Sequence, residues 1–289
     1  MLKRRIIAVL TVKDDIVVQS IGFQKYLPIG KPEIAVEFLN KWGIDEIAYN
    51  DISATSKGKK PNFELIKKVA KKCFVPLAVG GGISSLEDVR KLTQSGADKV
   101  IVNNLLLQNP DVVKSIAENF GNQCLIVSLD IKKDGQTYKP YHYLTQKYLP
   151  YNLQEWISRI ETLGAGELLV NNVDRDGSYQ GFDIEALKII QNFTSIPIIA
   201  LGGAKNARSF IELFEQTQVD AGAAGNFFHF TEHSVNICKA QINQFQPWVR
   251  LETNANYQDN PIDTNGRLLK KEDDILEHLL FVKIEKEII

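Results

Sequence analysis

A chain of 289 residues with 44% hydrophobic content can bury a real core, as one large domain or two small ones. Its formal net charge of −1 gives no electrostatic reason to expect nucleic acid or an anionic membrane as partner. No apolar run is long enough to span a bilayer, and MLKRRIIAVL lacks the apolar region and cleavage site of a signal peptide, so a cytoplasmic protein is expected.

Short apolar runs recur along the chain, at 5–10, 46–50, 75–79, 99–102, 124–129, 167–171, 197–201 and 221–224. Helical patterns separate them, among them PEIAVEFLNKWG (32–43), NFELIKKVAKKC (62–73), PDVVKSIAENFG (110–121) and LQEWISRIETLG (153–164). Strictly alternating strand and helix predicts a parallel sheet, and eight such units predict a (β/α)₈ barrel. A doubly wound open sheet is the alternative. The third run ends at Gly80-Gly81-Gly82, and Ser84 or Ser85 then caps a helix whose N-terminal amides would face an anion. The cysteines, Cys73, Cys124 and Cys238, lie in or beside apolar runs without metal-ligand spacing, so reduced buried thiols are expected, with no metal and no cofactor.

The chain also repeats itself. An offset of 121 residues carries Pro76 onto Pro197, Gly81-Gly82 onto Gly202-Gly203, Glu46 onto Glu167 and Asp51 onto Asn172. Two similar halves of four βα units favour closure, because each half covers the strand edges of the other. In barrels of this kind the functional groups stand at the C-terminal ends of the strands. Those ends offer Thr11, Asp51, Gly80 to Gly82, Asn103 with Asn104, Asp130, Asp174 with Asp176, Gly202 with Gly203, and Gly225 with Asn226. Small residues and amides gather in two half-related places, as a ligand with two phosphates requires; plain turn glycines are the simpler reading.

The repeat stops near residue 245. The barrel is therefore assigned to 1–245, and 246–289 to a linker and tail. Within it, 251–267 is polar and turn-rich, and 272–289 is apolar again; periodicity does not decide between a helix, a helix plus strand, or an aggregation-prone end. A packing arm is expected there, not a site.

The motifs RIIAVLTVKD, NDISAT, PLAVGGGI, GADKVIVNN, SLDIKKDG, GAGELLVNNVDRDG, IIALGGAKN and AAGNFFHF resemble the cyclase (synthase) subunit of imidazole glycerol phosphate synthase over about residues 1–245. The resemblance implies a two-fold barrel that binds a bisphosphate substrate and takes ammonia, along its axis, from a glutaminase partner. It implies phosphate contacts at Gly82, Asn103, Asn104, Asp176, Gly177, Gly203, Gly225 and Asn226; Asn104, Gly225 and Asn226 depart from the family's usual residues. Of the family's two catalytic aspartates one is Asp130, and the other is Thr11 here. The lysine of the first loop is Gln19, and a glycine there is Asp15. A hydroxyl cannot take a proton near neutrality as a carboxylate does, and positioned acid–base groups contribute about 10²–10⁴-fold. The family's charged ring at the opposite mouth is complete in Arg5, Glu46, Lys99 and Glu167, and so is its partner-facing Asp98. An ammonia gate is implied, with a plain barrel plug as the structural alternative.

The resulting expectation is a diverged paralogue that works with a glutaminase, carries ammonia toward amidation of a cell-surface sugar beside a sugar amidotransferase, and binds a phosphorylated small molecule. The rivals are an authentic cyclase of histidine biosynthesis (a lyase), a non-catalytic scaffold that activates the glutaminase, and, further off, a related sugar isomerase barrel.

Overall fold

The computed structural model describes residues 2–251, 255–263 and 265–277. Eight parallel strands form a closed barrel: Arg5–Lys13, Glu46–Asp51, Leu77–Gly80, Lys99–Val102, Leu125–Asp134, Glu167–Asn172, Ile198–Leu201 and Ala221–Ala224. Each pairs with the next, and the last closes on the first through Arg5↔Ala221 to Ala8↔Ala224. The open-sheet alternative is thereby excluded. Helices pack on the outside, and their apolar stripes bury the main core between helices and strands.

Strand ends differ from the sequence reading in an instructive way. The third and seventh strands begin at Leu77 and Ile198, after Pro76 and Pro197. Proline donates nothing to a ladder. Its carbonyl still takes part: Pro76 O accepts from Ile47 N at 3.0 Å, and Pro197 O from Leu168 N at 2.9 Å. The first and fifth strands run on past the barrel, because each turns back as an antiparallel hairpin, Ile16–Ile21 with Lys25–Gly30 and Thr137–His142 with Lys147–Tyr148. Thr11 and Asp130 therefore lie within strands instead of after them. Asp14 and Asp15 both adopt left-handed φ, +51° and +66°, in the two-residue turn of the first hairpin.

Every second residue of a barrel strand points to the axis. Down the first strand these are Arg5, Ile7, Val9 and Thr11; down the sixth, Glu167, Leu169 and Asn171. Ile7, Val9, Ala48, Ile101, Ile126 and Leu169 belong to one interior apolar cluster, separate from the outer core. From the N-terminal to the C-terminal mouth the axis reads charged ring, apolar middle, polar rim.

Past the last barrel helix, Ser234–Phe245, the chain stays attached. Trp248 and Val249 are buried, and Trp248 O accepts from Arg4 N at 2.8 Å. Farther on, Gln258 and Asn260 reach the same helix, where Gln244 donates to Gln258 O at 2.6 Å and to Asn260 O at 3.1 Å. A short helix covers Asp273–Glu277, and the remainder of the tail falls outside the described residues.

Candidate functional site

The C-terminal mouth holds a cavity of about 380 Å³. The sequence-predicted Thr11, Gly82, Asn103, Asn104, Asp130, Asp176, Gly177, Gly203, Gly225 and Asn226 all line it. Thr11 and Asp130 stand on the first and fifth strands, four strands apart in either direction round the closed barrel, and so face each other across the mouth. Asp130 is 5% exposed. Asn103 Nδ2 donates to its Oδ2 at 2.8 Å, and Asn171, its register partner on the sixth strand, gives a second hydrogen bond. Burial pushes the Asp130 carboxyl up to about 7, against the pull of these two amides and with a further push from the Asp176 charge. Near neutral pH it can therefore both give and take a proton. Asn171 is a site residue that strand-end positions alone do not mark; its signal is the offset that pairs Asp51 with Asn172 and also pairs Asn50 with Asn171.

In the second half, Asp176 and Asn226 are engaged by the first hairpin. Asp176 Oδ2 accepts from Ser20 Oγ at 2.7 Å and Phe23 N at 3.2 Å, and Asp176 O from Gly22 N at 3.0 Å. Asn226 donates to Ser20 O at 2.7 Å and accepts from Ser20 N at 3.2 Å. Gln19 Nε2 donates to Tyr179 Oη at 3.0 Å. Gly177, at φ +65°, is needed for this closeness, since a Cβ there would lie 2.5 Å from Ser20 O. Gly203 is bound as tightly, with a Cβ position 2.1 Å from Gly181 O.

The first half shows the matching arrangement. The fifth-strand hairpin brings His142 Nε2 within 2.8 Å of Asn104 Oδ1, and Tyr143 into a hydrogen bond with Thr55, the position that the repeat offset relates to Asp176. Gly82 N donates to Thr55 Oγ1 at 3.2 Å. The helix after the glycines, Leu86–Gln94, is capped by Ser85, whose Oγ accepts from Asp88 N at 3.2 Å. Ser84 instead hydrogen-bonds Asp88, whose carboxylate is buried at that helix end and paired with Lys60. The helix terminus expected to face an anion thus carries a carboxylate of its own.

At the N-terminal mouth four side chains close a ring. Arg5 bridges Glu46 at 2.6 Å and Glu167 at 2.8 Å, and Lys99 bridges the same two carboxylates at 3.0 and 2.7 Å. Glu46 is 2% exposed and Glu167 12%. Burial opposes the charged forms, but the pairing outweighs it. Arg5 is raised through Glu167 and Glu46, and Glu167 is lowered through Arg5 and Lys99. Asp98 is exposed beside this mouth, and its Oδ2 accepts from Leu77 N at 2.8 Å.

The sequence profile described as "Histidine biosynthesis protein" matches residues 5–234. A relative from Vibrio vulnificus, described provisionally as imidazole glycerol phosphate synthase subunit hisF2, is 43% identical over 267 residues, 92% of this chain and 98% of its own length. Imidazole glycerol phosphate synthase subunit HisF from two Staphylococcus aureus strains, Newman and MRSA252, is 42% identical over 84% of this chain and 98% of its own. This chain belongs to the imidazole glycerol phosphate synthase cyclase-subunit family. Across this mouth Asp130 faces the hydroxyl of Thr11 and not a second carboxylate. In the first hairpin, Gln19 is engaged by Tyr179. No helix among the described residues is long and apolar enough to cross a membrane.

Proposed function

We propose that this chain is the synthase-type subunit of a glutamine-dependent complex. A glutaminase sits on the N-terminal mouth, ammonia enters through the ring of Arg5, Glu46, Lys99 and Glu167, and a phosphorylated ligand is held at the C-terminal mouth between Gly82/Asn103 and Gly177/Gly203. The ring carries this reading. Four charges are set into the end of an otherwise apolar axis, and buried charge is costly unless it is paired. A neutral molecule as small as ammonia suits the apolar middle behind it.

Two uses of the ammonia follow. The names of the relatives favour the ring-forming lyase chemistry of imidazole glycerol phosphate synthase in histidine biosynthesis, and they support this use more directly. Asp130, poised near neutrality, is then the acid–base group. The second use is delivery to a separate enzyme that amidates a cell-surface sugar. Thr11 and Gln19 favour it, because the mouth has lost one acid and one cation.

Turnover of the family's bisphosphate substrate with an ammonium salt separates the two. Under delivery, the wild-type protein is slow, and Thr11→Asp with Gln19→Lys gains at least about tenfold. Wild-type turnover equal to that of an authentic cyclase removes the second use.

A further inference from the structure

We propose that the rim of the N-terminal mouth carries a preformed docking knob for the glutaminase: Phe74 as apolar anchor, beside the lysine cluster Lys67, Lys68, Lys71 and Lys72. The inference rests on the partner reading above. It adds the character of the partner's face, an apolar pocket rimmed by carboxylates.

Phe74 is 86% exposed, more than any other aromatic side chain among the described residues. Its loop is nonetheless fixed. Asn40 Oδ1 accepts from Phe74 N at 3.2 Å, its Nδ2 donates to Lys72 O at 2.5 Å, and Cys73 N donates to Ala70 O at 3.1 Å. The ordering cost of presenting this ring is therefore met before any partner arrives. The position is also the right one. Phe74 lies just before the third strand, whose first amide, Leu77 N, is held by Asp98; the fourth strand opens with Lys99 of the ring. Ring, Asp98 and Phe74 share one rim.

The helix Phe63–Ala70 ends at this rim and carries the cations there. Lys67, Lys68, Lys71 and Lys72 are all exposed, and only Lys72 has an ion pair among the described residues, with Glu37 at 3.1 Å. In a chain of net charge −1, four cations within six residues form a local field. Cations near a helix C-terminus are favourable in themselves, but that does not account for the aromatic ring beside them. An exposed aromatic anchor with charge at its margin is the arrangement of an interface centre and rim: the ring sets the lifetime of the complex and the charges set its rate of formation.

The test measures binding of the glutaminase subunit from the same genome to the full chain, at about 50 and about 300 mM salt. Phe74→Ala should raise the dissociation rate about tenfold with little change in association, and Phe74→Tyr should stay near wild type. Lys68→Glu with Lys71→Glu should slow association about tenfold at low salt and flatten its salt dependence. All these positions are exposed, so melting temperatures should match wild type, which separates lost docking from lost folding. Wild-type binding that Phe74→Ala leaves unchanged overturns the inference alone. Failure of the wild type to bind overturns the partner reading and the inference with it. If the lysine variant loses RNA or anionic-vesicle binding while glutaminase kinetics stay fixed, the cluster serves another partner and the inference falls.

Discussion

Lys99→Ala tests the ring most directly. Lys99 bonds Glu46 at 3.0 Å and Glu167 at 2.7 Å, and both carboxylates are largely buried. Removing one member of a buried pair costs about 3–5 kcal/mol, because the other is left charged and dry. Arg5 still reaches both carboxylates, which places this variant near the lower end, at about 3 kcal/mol. At about 2–4 °C per kcal/mol for a domain of this size, the melting temperature should fall by roughly 6–12 °C. The penalty should depend on pH. The Glu167 carboxyl is held below its ordinary value, so its stabilising contribution is present above the unfolded value of about 4.3 and is lost as pH falls through the folded one. The gap between wild type and Lys99→Ala should therefore be full at pH 7 and shrink below about pH 4. Thermal unfolding at both pH values measures it. The gate reading adds that glutamine-dependent product should fall in the variant while ammonium-dependent product persists. Equal melting at neutral pH, or a gap that does not narrow in acid, would refute the electrostatic account. Equal glutamine-dependent product from matched folded protein would leave the ring a plug.

Asp130→Asn should trade activity for stability. The carboxyl is raised to about 7, so the native state loses stability as pH rises from the unfolded value of about 3.9 through 7. The neutral amide escapes this, and denaturant unfolding should show a gain of roughly 3–4 kcal/mol at pH 8 that vanishes by about pH 4. Gly177→Ala should loosen the first hairpin, since its Cβ would press on Ser20 O; faster hydrogen exchange or proteolysis across residues 16–30 reports it, and unchanged protection would contradict the packing argument. Sulfate soaked into crystals should bind near Gly82/Asn103 or Gly177/Gly203, and empty subsites at high anion concentration would favour the scaffold.

Much of the architecture was legible in the chain because its causes are local or periodic. Alternating apolar runs and helical patterns predicted the eight units, and the 121-residue offset predicted two halves. The same offset pairs Asn50 with Asn171, so the second amide beside Asp130 is also encoded in the repeat. The ring was visible only through resemblance: Arg5 and Glu167 are 162 positions apart, and nothing local says they touch.

What the tertiary structure alone decided is which polar groups are already spoken for. Asp176 and Asn226 read as anion contacts, yet both hold a hairpin anchored at Ser20, 156 and 206 positions away. Asp130 reads as an ordinary carboxylate, and only burial between Asn103 and Asn171 moves its proton affinity to neutrality. Periodicity is a property of neighbours along the chain and survives in one dimension. Hydrogen-bond partners and desolvation depend on which distant residues closure of the barrel brings within about 3 Å, and that exists only once the last strand has met the first.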